Sequence, residues 1–153
     1  MSADSFRGAF PHQHGDPRGL IERIHAQLRE RIQEAVEMAG LELMVELRRR
    51  HGRPAPDTDS AVDRAEFEAT ARSFLAHLRD AVHAELTLEQ QRALERAEAT
   101  SGETERLLAG QVFLARELPD YWQRFERHHD AYVRSRLDAP TPAQGWLGRL
   151  FGR

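Results

Sequence analysis

The sequence contains no cysteine, which excludes disulfides, thiolate-held zinc and cysteine nucleophiles. It contains no lysine either. All 22 basic residues are arginine, so neither a Schiff-base amine nor a P-loop lysine is available. Asparagine is absent too, and this bias reads as the codon usage of a GC-rich bacterial genome, not as a functional signal. No apolar run approaches the roughly 20 residues that a transmembrane helix needs. The opening stretch "MSADSFRGAFPHQHGDPRG" lacks the apolar segment of a signal peptide. The expectation is a cytoplasmic chain that meets a membrane only from its inner surface. Gly-x-Ser-x-Gly, His-Glu-x-x-His and Gly-x-Gly-x-x-Gly are all missing. Nothing marks an enzyme, and no cofactor is expected.

What is present suits one helical domain. The chain has 153 residues, 40% apolar and 31% charged, enough to bury a core without covalent staples. Its net charge is −3, so the chain as a whole does not attract nucleic acid. No stretch alternates apolar and polar residues as a half-buried strand would. Leu20, Ile24, Leu28, Ile32, Ala35, Ala39 and Leu43 instead recur every three or four residues, which predicts a helix from about Gly19 to His51. Met38, Leu41, Met44 and Val45 widen its apolar surface, predicting burial on more than one side or a dimerisation surface. "HGRPAPD" ends it.

A second helix is predicted from about Ser60 to Leu86, facing inward with Phe67, Ala71, Phe74, Leu75, Leu78 and Val82 and capped by Asp59 or Ser60. Thr87, followed by Glu89 and Gln90, marks the next cap. The helix from Leu88 is weakened at "ATSGE" by Thr100, Ser101 and Gly102 and resumes through Leu107, Leu108, Val112, Leu114 and Leu118. Pro119 sets a further boundary. The last stripe carries Tyr121, Trp122, Phe125, His129, Tyr132 and Val133 and ends near Leu137. The expected fold is therefore all-α: an antiparallel bundle of three to four long helices over 19–137. A disordered arm precedes it at 1–18, and a Pro-rich linker at 138–144 leads to an amphipathic tail at 145–153.

Three clusters invite chemistry. "ERIH" and "ERHH" place Glu22 with His25 and Glu126 with His129, each pair on one helix face. Such Glu-x-x-His pairs supply ligands in carboxylate-bridged di-iron bundles, and a site built from all four would resemble the ferritin-like family. His25 and His129 fall on apolar stripes, while Glu22 and Glu126 fall at their edges, where solvated carboxylates are ordinary. "RRRHGRP" gathers Arg48, Arg49, Arg50 and Arg53, a patch able to hold phosphate or lipid headgroups. The plainer reading is cations complementing a helix C-terminus. His12, His14 and Asp16 form a third group in the arm, with nothing to fix their geometry.

The C-terminus, "APTPAQGWLGRLFGR", is the most distinctive segment. On a helical wheel Trp146, Leu147, Leu150 and Phe151 share one arc, with Gly148 and Gly152 opposite. Arg149 and Arg153 flank the arc, where their stems can lie along an apolar surface. Each glycine costs about 1 kcal/mol in a helix, so the segment needs a receiving surface to fold. "GWLGRLFGR" resembles the short membrane-targeting tails of bacterial division proteins of the MinD and FtsA type. The likeness covers nine residues, and the helical body resembles neither protein. It implies that Trp146, Leu147, Leu150 and Phe151 enter the acyl region while Arg149 and Arg153 meet the headgroups. Gly148 stands where such tails often carry a basic residue, which leaves this one less cationic. Other destinations are a groove on a partner protein or protein shell, a sliding clamp, or the chain's own helices. A single short anchor binds a membrane weakly, so a homo-oligomer presenting several tails goes with the membrane reading.

Overall fold

The computed structural model describes residues 17–138. The expected arm, apart from its last two residues, lies outside them, as do the tail and the linker after Asp138. The described chain is all-α, with five helices: α1 Pro17–Arg50, α2 Ala61–His83, α3 Leu88–Ala97, α4 Glu103–Glu117 and α5 Tyr121–Asp138.

Local chemistry sets the boundaries. Pro17 occupies the first position of α1, where a missing N–H costs no intrahelical bond. At the other end the amide of Arg53 donates to the Arg48 carbonyl at 2.8 Å and that of Gly52 to Arg49 at 3.3 Å. This crossed pair requires a left-handed residue, and Gly52 supplies it with φ +65°. The hydroxyl of Ser60 caps α2 by accepting the Asp63 amide, and Thr87 and Gln90 form a reciprocal capping box on α3. The weak point at residues 98–102 is a full break, with Gly102 at φ +86° just before α4. Pro119 lies in the two-residue turn before α5. The second helix stops at His83, short of the expected Leu86. There the amides of Glu85 and Leu86 bond only three residues back, to Val82 and His83, which tightens the chain out of the α-helical path.

Packing places these helices around one core. Arg48 meets Asp63 and Gly40 meets Ala71, so α1 and α2 run antiparallel. Contacts from Glu85 to Arg124 and from Ser73 to Tyr132 make α5 antiparallel to α2 as well. All five helices contribute buried side chains, among them Ile32 and Leu43, Phe74 and Leu78, Leu94, Leu114, and Tyr121 and Phe125. Phe74 is the aromatic hub, edge-on to Phe125 at 5.6 Å and tilted against Tyr132 at 5.4 Å. Gly40 lets α1 approach α2 closely, since a Cβ there would lie 3.0 Å from the Ala71 backbone.

The first helix departs from expectation. Ile32, Ala39 and Leu43 are buried, but Leu20 and Ile24 are 42% and 44% exposed. The widened surface is also only half covered: Met44 is buried, while Met38 is 56% and Val45 42% exposed. One reason is length. With 34 residues α1 spans about 51 Å, whereas α2 has 23 residues and spans about 35 Å. The neighbours cover one side of α1 and leave its first turns and its outer face open.

Candidate functional site

The arginine cluster stands at the junction of α1 and α2, and its geometry follows from the turn that closes α1. That turn folds the loop back over the first turn of α2, bringing carboxylates to the arginines. Arg48 is 94% buried and donates to both oxygens of Asp63, at 2.7 and 3.1 Å, and to Glu66 at 2.6 Å. Asp63 also accepts the Asp57 amide at 2.7 Å. The guanidinium of Arg48, followed by that amide, holds the Asp63 carboxyl down at about 2. The two carboxylates in turn raise Arg48 above its ordinary range. Arg49 pairs with Glu46, Arg50 lies 3.7 Å from the same carboxylate, and Arg53 lies 3.9 Å from Glu66. Each of the four arginines therefore has a carboxylate partner. Arg48 is committed to holding α1 against α2, and only Arg49, Arg50 and Arg53 present exposed guanidinium groups to a phosphate.

The two Glu-x-x-His pairs do not come together. His25 meets Arg116 of α4 at 2.5 Å. His129 packs edge-on against Phe74 and lies 3.9 Å from Glu42 of α1. From His25 to the level of Glu42 along α1 is about 25 Å. Glu22 and Glu126 are both exposed. Among the described residues no group of three or more acidic or histidine side chains is placed to hold a metal ion. Equal spacing on two helices does not bring the two pairs to the same level of the structure, and here they meet different neighbours.

Several polar contacts escaped the sequence because their members are far apart in it. Glu85, in the turn after α2, gathers Arg124, Arg127 and His128 of α5 at 3.3, 2.7 and 3.0 Å. Arg79 makes a two-pronged contact with the buried Glu98 at 2.9 and 3.0 Å, fastening α2 to the end of α3. Tyr121 donates to the buried Gln111 at 2.7 Å, and its burial pushes the phenol pKa up. His77 lies tilted against Tyr132 with ring centres 4.6 Å apart, and burial with the neighbouring His128 lowers its pKa. These contacts join one helix to another and contain no paired nucleophile and base. A cavity of about 410 Å³ between α1 and α4 is lined by His25, Arg29, Thr100, Glu105, Phe113 and Arg116, among others. Arg29 and Glu105 already pair across it.

Of the large hydrophobic side chains exposed among the described residues, Leu20, Ile21, Ile24, Met38 and Val45 lie on α1, and Val62 and Leu88 lie in the first turns of α2 and α3. No described helix is long and apolar enough to cross a membrane. The tail residues Trp146, Leu147, Arg149, Leu150, Phe151 and Arg153 lie outside the described residues. The chain matches no family model, no curated protein and no solved structure.

Proposed function

We propose that the protein is a non-enzymatic helical adaptor or scaffold, localised by its C-terminal amphipathic segment to the cytoplasmic face of a membrane and acting as a homo-oligomer. The observation that carries this reading is the arc of Trp146, Leu147, Leu150 and Phe151, flanked by Arg149 and Arg153 and set behind Pro140 and Pro142. One feature of the body supports it: residues 17–138 supply a core drawn from all five helices, a folded base for the tail segment that follows Asp138 in the sequence.

Magnitudes define the kind of attachment. Complete burial of four large apolar side chains is worth about 6–12 kcal/mol gross, at about 1.5–3 each. Partial interfacial depth and the ordering of two glycines subtract from that. Two arginines add about 1 kcal/mol apiece at an anionic leaflet. One tail therefore binds reversibly, and two tails on one assembly bind far more firmly through effective concentration.

Vesicle co-sedimentation tests this. The full chain is expected to pellet with anionic vesicles, less with neutral ones, and Trp146→Glu with Phe151→Glu is expected to leave it in the supernatant. Pelleting that survives the double substitution, or that never occurs, overturns the membrane assignment. In the second case the same segment is to be tested as a docking peptide for a protein groove.

A further inference from the structure

Along α1, Leu20, Ile24, Gln27, Arg31, Glu34, Met38, Leu41 and Val45 follow one another at alternating intervals of four and three residues. This is the spacing of a coiled-coil seam. It is not the face that packs on the core, whose residues are Ile32, Val36, Ala39, Gly40, Leu43 and Met44. Four of the seven large hydrophobic side chains exposed among the described residues, Leu20, Ile24, Met38 and Val45, lie on this second stripe. Leu41 is half-buried, and Gln27, Arg31 and Glu34 are exposed. The stripe is apolar at both ends and charged in the middle.

We infer that this outer face of α1 is an interface with a second copy of the chain, with the two α1 helices packed antiparallel about a two-fold axis between Ile32 and Gln33. The charges dictate the direction. In a parallel, in-register pair Arg31 would face the partner's Arg31 and Glu34 the partner's Glu34, like against like at the centre of the seam. Antiparallel pairing about that axis sets Arg31 against the partner's Glu34, and Glu34 against the partner's Arg31. The same operation places Leu20 opposite the partner's Val45, Ile24 opposite the partner's Leu41, and Gln27 opposite the partner's Met38. One register thus satisfies both the apolar ends and the charged centre. Within one chain, neither Arg31 nor Glu34 has an ion-pair partner among the described residues. Arg31 rests its guanidinium 4.2 Å from the centre of the Trp122 ring, which braces it at the edge of the seam. The stripe runs for about 37 Å, about three and a half heptads, and an isologous contact of that kind closes at two subunits.

This deepens the self-association included in the adaptor reading and stands apart from the tail. The test uses the full chain carrying Trp146→Glu and Phe151→Glu, so that tails cannot mediate assembly. Sedimentation equilibrium is expected to show a dimer. Met38→Glu is expected to weaken it by at least about tenfold in Kd. Arg31→Glu and Glu34→Arg should each weaken it, and the two together should restore it, because the swap recreates opposite charges only in the antiparallel register. The absence of native cysteine permits a direct check of direction. Chains with Leu20→Cys and chains with Val45→Cys, once mixed, should form a disulfide dimer, while neither should do so alone. A monomer throughout the micromolar range overturns the inference, as does a dimer indifferent to Met38→Glu. Self-cross-linking through position 20 alone overturns the antiparallel direction. Circular dichroism on each variant separates weakened association from failure to fold. If the chain with its native tail forms the dimer but does not bind vesicles, that counts against the tail assignment alone.

Discussion

The inner and outer faces of α1 carry the same kinds of residue and end in different circumstances. On the inner face Ile32, Leu43 and Met44 are covered by other helices, and Arg48 is sunk among Asp63 and Glu66. On the outer face Leu20, Ile24, Met38 and Val45 are exposed, and Arg31 has an aromatic ring beside it but no carboxylate. An arginine next to apolar residues therefore does not announce its role. Arg48 joins a dense basic run that looks like an anion site, yet the fold supplies its counter-charges from within. Arg31 belongs to no such run, and among the described residues the fold brings no carboxylate to it.

The sharpest way to break the comparison is to cut equal volumes from the two faces. Ile32→Ala removes a fully buried side chain from the inner face and is expected to cost about 2–5 kcal/mol in urea unfolding. A cost near zero would show that the inner face is not the core. Gly40→Ala comes next. Its new Cβ would lie 3.0 Å from backbone atoms of Ala71, and backbone cannot swing aside as a side chain can. A net loss of about 1–3 kcal/mol is expected despite alanine's better helix propensity, and a gain in Tm would mean that the helices separate freely there.

The buried ion pair is sharpened by acid. Asp63 titrates at about 2 in the fold against an ordinary 3.8, so the unfolded chain binds its proton first as pH falls. The stabilisation it provides is fully present above about pH 4 and is lost as pH falls toward 2. Arg48→Met removes the chief cause of the depression. Stepped-pH unfolding should show that variant less stable at neutral pH and with a flatter decline between pH 4 and 2. Equal slopes in the two proteins would deny Arg48 this role. The smallest effect belongs to the outer face: Met38→Ala should change the unfolding of a single subunit by no more than about 0.5 kcal/mol.

Most helix ends follow from local sequence, because they depend on neighbours three or four residues away. Thr87 and Gln90 cap each other, Ser60 receives the Asp63 amide, and residues 98–102 interrupt the helix. Each could be read from spacing and side-chain type alone. The turn at Ala84–Leu86 was harder to foresee, since Leu86 remains buried whether or not it is helical. Which apolar face of α1 is covered, where Arg48 finds its acids, and how far apart the two Glu-x-x-His pairs stand all depend on how the helices pack. Periodicity tells a helix which of its residues share a side. It says nothing of how long the neighbouring helices are or at what level they cross, and those distances decide which side chains meet.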